Sequence, residues 1–101
     1  MALKDEYNFE NLVNEAENLV IEEMDVQLAL AKNAGVCRCQ DCILDMAAFA
    51  LNSLSPLYRV SLMGRLYAEG AKRTPFVQDV SRAVEAAIQK VITNPSHHPG
   101  G

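Results

Sequence analysis

From Phe9 onward, apolar residues recur at helical spacing: Leu12 and Val13, Ala16, Leu19 and Val20, Met24, then Leu28. That period predicts an amphipathic helix, with acidic residues on its other face. Asn8 is placed to cap its start. Gly35 is the natural stop, with Asn33 a secondary one. Near its end the apolar set widens to Ile21, Val26, Leu28 and Leu30. The widening predicts burial on two sides, or a contact between two copies. Residues 1–8 read as a short polar lead.

Val36–Cys42 reads as a tight polar turn, with Asp41 able to cap the next helix. Ile43, Leu44, Met46, Ala47, Phe49, Ala50 and Leu51 then cover nearly all sides of that helix, which predicts a central buried element. Pro56 closes it, because the residue before a proline is biased away from helix. In Leu57–Ala68, Tyr58 and Val60 alternate with Arg59 and Ser61, as in a strand. Met63-Gly64 could turn a short hairpin with Leu66 and Tyr67 returning; a short helix from Leu62 competes with it. Thr74-Pro75 is a strong helix start. Val77, Val80, Val84, Ala87, Ile88 and Val91 form its stripe, and Asn94-Pro95 ends it. Residues 96–101 read as a flexible tail. The expected fold is mainly α: a small helical domain of about three to five helices around a central buried helix, with room for one short hairpin. The domain would span residues 9–95.

Composition sharpens this. The chain has 101 residues, half of them hydrophobic, which fits one small domain and argues against disorder throughout. A core of that size gains from a metal, a ligand or a second subunit. Residues 1–30 carry eight acids and one base, whereas residues 31–101 carry eight bases against five acids. An acidic first helix argues against wrapping on duplex DNA. The central bases suit a small anion. Acids follow Met1-Ala2-Leu3-Lys4 at once, unlike a signal peptide. No apolar run approaches a membrane span, and the expected location is cytoplasmic.

The three cysteines, Cys37, Cys39 and Cys42, lie within six residues. Such spacing fits a reducing compartment better than a disulfide framework. Three thiolates on a turn entering a helix can aim at one zinc ion. A fourth ligand would come from His97, His98, a carboxylate such as Asp41, or a second chain. The plainer alternative is three reduced cysteines, with Cys42 packed as a small hydrophobe. Nucleophilic catalysis needs a base beside the thiol, and the only histidines sit in the tail. Cys39-x-x-Cys42 matches a redox pair in spacing, but the surrounding pattern is not thioredoxin-like. A non-enzymatic protein is therefore expected. A second set, Arg38, Tyr58, Arg59, Arg65, Tyr67, Lys72 and Arg73, combines guanidinium forks and flat rings that could hold a nucleotide. An ordinary solvated surface is the alternative.

The segment CRCQDCILDMAAFALNSLSPLYRVS resembles the signature of ComFB-type proteins, first named among bacterial late-competence genes. The matching positions are Cys37, Cys39, Cys42, Asp45, Ala47–Leu51, Asn52, Pro56 and Tyr58. The resemblance extends over residues 9–98 and implies a small, mainly helical homodimer. It implies a structural zinc on cysteines in some members. It also implies a receptor for cyclic dinucleotides, chiefly cyclic di-GMP with cyclic di-AMP as the other candidate, acting in signalling through protein partners. On this chain the ligand would fall to Arg38, Tyr58, Arg59, Arg65, Lys72 and Arg73. A metal would fall to Cys37, Cys39, Cys42 and His98. The C-terminal cysteine that closes the metal site in some members is absent here. The competing expectation is a zinc-stabilised dimeric adaptor that binds no nucleotide.

Overall fold

The computed structural model describes residues 2–60 and 75–94. In chain order these form α1 (Leu3–Glu6), β1 (Val13–Asn14), α2 (Glu15–Leu28), a 3-10 turn (Ala31–Asn33), α3 (Gln40–Asn52), β2 (Tyr58–Arg59) and α4 (Pro75–Thr93). The domain is mainly helical, as its sequence predicts.

The first long helix begins six residues later than its apolar period suggests. Its cap is Asn14, whose Oδ1 accepts from the Ala16 amide at 3.1 Å. Glu15 and Glu17 lie in its first turn, where the helix dipole favours negative charge. Asn8 instead accepts from the Glu10 amide in a local turn, and Phe9 and Leu12 stay exposed. The helix also ends early, at Leu28. Gly35 is not its stop, and a Cβ there would meet nothing within 4 Å. Side chains end it: Asn33 Nδ2 donates to the Gln27 carbonyl at 2.7 Å, and Arg38 Nη2 to that of Leu28 at 2.8 Å. Both satisfy carbonyls that a helix end leaves without partners.

Cys39, not Asp41, caps α3; its sulfur accepts from the Cys42 amide at 3.4 Å. Along α3, Cys42, Met46 and Ala50 are fully buried at a spacing of four, so they line one face. Leu44 points away from that face and is 56% exposed. The α4 stripe packs as its spacing predicts, with Val80, Val84, Ala87, Ile88 and Val91 buried, Ala83 added, and Val77 left at the edge. The most extensive contact is between α3 and α4, and α2 packs on both. Lys90 of α4 ties the pair at the rim, 3.5 Å from Asp45 and over the Phe49 ring.

The strand-like reading of Tyr58 is correct, but its partner is distant in sequence. β2 runs antiparallel to β1, with Val13 opposite Arg59 and Asn14 opposite Tyr58. The turn at Met63-Gly64, its competing helix from Leu62, and Leu66 and Tyr67 lie outside the described residues. Ile21 and Val26 of α2 are exposed, as is Leu30 just beyond it, so α2 is not buried on two sides within one chain.

Candidate functional site

The cysteine turn is held from below by a relay of hydrogen bonds. Gln27, buried on α2, donates through Nε2 to the Ser81 carbonyl of α4 at 2.9 Å and to Glu23 at 2.7 Å. Its own carbonyl receives Asn33, and the Val36 amide donates to the Asn33 carbonyl at 3.1 Å. Arg38, between the first two cysteines, reaches back to the end of α2. Buried polar groups joined this way fix a unique geometry. The sulfurs of Cys37, Cys39 and Cys42 thus come within 4.8 Å of one another, the first two half-buried and the third buried. No disulfide joins them.

The donor set fits zinc as far as it goes. A tetrahedral ion with bonds of about 2.3 Å holds sulfurs about 3.8 Å apart, inside the 4.8 Å limit within which these three lie. Cys37, Cys39 and Cys42 would be the ligands, and the ion would tie the turn to α3. Asp41 stands exposed in the first turn of α3 and is not part of the cluster. His97 and His98 lie outside the described residues.

The second constellation is split. Arg59 forms an ion pair with Glu15, the two side chains being only 23% and 14% exposed. Around it, the Glu15 amide donates to the Leu57 carbonyl at 2.7 Å, and the Leu57 amide to Asn14 Oδ1 at 2.7 Å. These bonds pin β2 to the start of α2. Beside Arg59, Tyr58 is 64% exposed and offers a ring to solvent. Arg38 sits at the other end of α2, a helix of 14 residues, so it stands about 20 Å from Arg59. Tyr58 and Arg59 are thus neighbours along β2, on alternate faces of the strand, and Arg38 is remote from both. Arg65, Lys72 and Arg73 lie outside the described residues.

Sequence reasoning missed a groove between the end of α3 and the first turns of α4. Its volume is about 380 Å³, and Ser53, Ser55, Phe76, Asp79 and Arg82 line it. The signal was present as Asp79-x-x-Arg82, a spacing that places opposite charges together on a helix. The Glu15–Arg59 pair carried no such local signal.

The fold and the cysteine turn define a small helical domain whose thiols converge at a helix start. The family model described as late competence development protein ComFB matches residues 13–95, and the chain belongs to that family. No individually curated protein matches it.

Proposed function

We propose that the protein is a non-enzymatic receptor for a cyclic dinucleotide, chiefly cyclic di-GMP. It acts in the cytoplasm as a homodimeric signalling adaptor that speaks to protein partners. Family membership supports this reading. The observation that carries it on this chain is an exposed Tyr58 ring and an Arg59 guanidinium at successive positions of β2. That strand leads directly into residues 61–74, which bring Arg65, Lys72 and Arg73. Two bases and two phosphates need flat surfaces and cations, and this stretch supplies both types of group. The Glu15 pair engages the Nε–H of Arg59; a guanidinium has five N–H donors, so it can hold Glu15 and a phosphate together. Arg38 joins the same ligand only across a subunit boundary. The exposed Ile21 and Val26 of α2, with Leu30 just beyond its end, support such a boundary. Ligand binding would favour one dimer arrangement and so change which partner binds. No helix among the described residues is long and apolar enough to cross a membrane.

A comparison of Arg59→Ala with Glu15→Ala tests the reading, because both break the same ion pair and only the first removes a ligand cation. Arg59→Ala is expected to weaken cyclic di-GMP binding by about tenfold or more, the scale of a lost charge-assisted bond. Glu15→Ala should change it less than about threefold. Equal losses in calorimetry would assign Arg59 to the fold alone.

A second reading, a zinc-stabilised structural or regulatory dimer without nucleotide binding, is favoured by the convergence of the three sulfurs. The two are compatible, since a metal that fixes the cysteine turn also fixes the end of α2.

A further inference from the structure

We infer that the groove between α2 and α4 seats a basic amphipathic helix of a partner protein. The inference goes beyond the receptor reading and holds with or without a bound nucleotide. Leu19, Glu22, Glu23 and Val26 line the groove from α2, and Val77 and Val80 line it from α4. On α2 these are positions i, i+3, i+4 and i+7, one continuous flank of the helix. Leu19 and Val80 form a buried floor, whereas Val26 and Val77 at the edge are 58% and 41% exposed. Apolar surface left open in this way contributes stability only when something covers it.

Charge decides what the occupant is. α2 carries Glu15, Glu17, Glu22, Glu23 and Asp25, and no base. Glu22 and Glu23 stand between the two apolar ends of the groove-lining flank. Glu23 is fixed in place, since its Oε2 accepts from Gln27 Nε2 at 2.7 Å and Gln27 is anchored on the Ser81 carbonyl of α4. A carboxylate accepts several hydrogen bonds at once, so lysine or arginine can join the donor already there. Such walls repel phosphates, anionic lipid and the α2 of a second copy, and attract a cationic protein segment.

Size and backbone chemistry narrow it further. The groove holds about 240 Å³, less than the roughly 300–1,000 Å³ of small-molecule sites, so it takes anchor side chains of a larger partner. Both walls are helices, whose backbone groups bond internally. An extended strand would find no ladder to join there, whereas a helix arrives with its own backbone bonds made. Leu19 and Val26 lie two turns, about 10 Å, apart. A partner helix along this flank would set apolar anchors over those two ends, with its cations over Glu22 and Glu23. Ile21 lies about 140° round α2 from Val26, so a second subunit placed on that side leaves the groove open.

Fluorescence anisotropy with two labelled synthetic peptides tests the groove on the intact chain. Both peptides are amphipathic helices of about 18 residues with leucine at i, i+3, i+4 and i+7; one carries lysine on its polar face and the other glutamate. The lysine peptide is expected to bind saturably, and about tenfold or more tighter than the glutamate peptide. Val26→Gln and Val77→Gln, neutral changes at exposed positions, should each weaken it by about tenfold, the effect of leaving one valine unburied. Glu22→Lys should weaken it by about tenfold or more. Glu17→Lys makes the same charge change about 140° round α2 from Glu22, and should cost less than about threefold. Equal losses from Glu22→Lys and Glu17→Lys would mean general charge attraction and overturn the inference. So would a lysine peptide that does not bind, or valine variants that bind it as the wild type does. If sedimentation shows both valine variants dissociating a dimer, a second copy covers the groove and the inference is wrong.

Discussion

Met46→Ala is expected to destabilise the domain by about 2–5 kcal/mol, the range for truncating a large buried aliphatic side chain. Met46 is fully excluded from solvent and shares its cluster with Val20, Met24, Val84 and Ile88. It sits one turn after Cys42, on the face where α2, α3 and α4 meet. Its thioether stem fills an irregular space that three converging helices leave. Alanine would leave a cavity there, and close-packed neighbours relax only partly into such a void. Small domains hold about 5–15 kcal/mol in total, so the melting temperature should fall by about 10 °C or more. Leu44→Ala, on the same helix but 56% exposed, should cost less than about 1 kcal/mol. Denaturant titration of the two variants separates the faces of α3. Comparable losses would mean that Leu44 is covered in solution, as a dimer contact would cover it.

Removing metal should produce the second large effect. If Cys37, Cys39 and Cys42 hold zinc, the ion binds only the folded chain. With free zinc about a thousandfold above its dissociation constant, that linkage contributes about 4 kcal/mol. Chelation should then lower the melting temperature by about 10 °C or more, and restoring zinc should reverse the loss. Cys39→Ser removes a thiolate ligand but keeps the cap of α3, because serine is a favoured N-cap residue. It should abolish stoichiometric zinc in elemental analysis, with little further response to chelator. Protein purified without metal, and with a melting temperature indifferent to chelator, would leave the cysteines as core and cap residues only.

Much of the helical framework was legible in local patterns. The stripe from Val80 to Val91 needed only its period and the Pro75 start, because α4 is a regular amphipathic helix. The cysteine turn was legible as chemistry, since three thiols within six residues have few ways to avoid one another. The features that stayed hidden depend on distant pairings. Asn14 rather than Asn8 caps α2 because Asn14 also receives the Leu57 amide, 43 positions away. Leu28 ends that helix because Asn33 and Arg38 fold back onto its last carbonyls. Arg38 and Arg59 entered the sequence reading as members of one basic and aromatic set. The fold separates them by the length of α2, and no local pattern encodes that distance. The groove at Asp79 and Arg82 required two helix ends to meet, which the sequence of either alone does not specify.

The measurement that bears most directly on the receptor reading is a calorimetric titration of the intact chain, of known zinc content, with cyclic di-GMP, cyclic di-AMP and GTP. Saturable binding of cyclic di-GMP, with GTP showing none, is the expected result, because the proposed receptor would engage two bases joined through two phosphates. Absence of binding by either cyclic dinucleotide, on folded protein, would contradict the receptor function and leave the zinc-stabilised adaptor as the account of this domain.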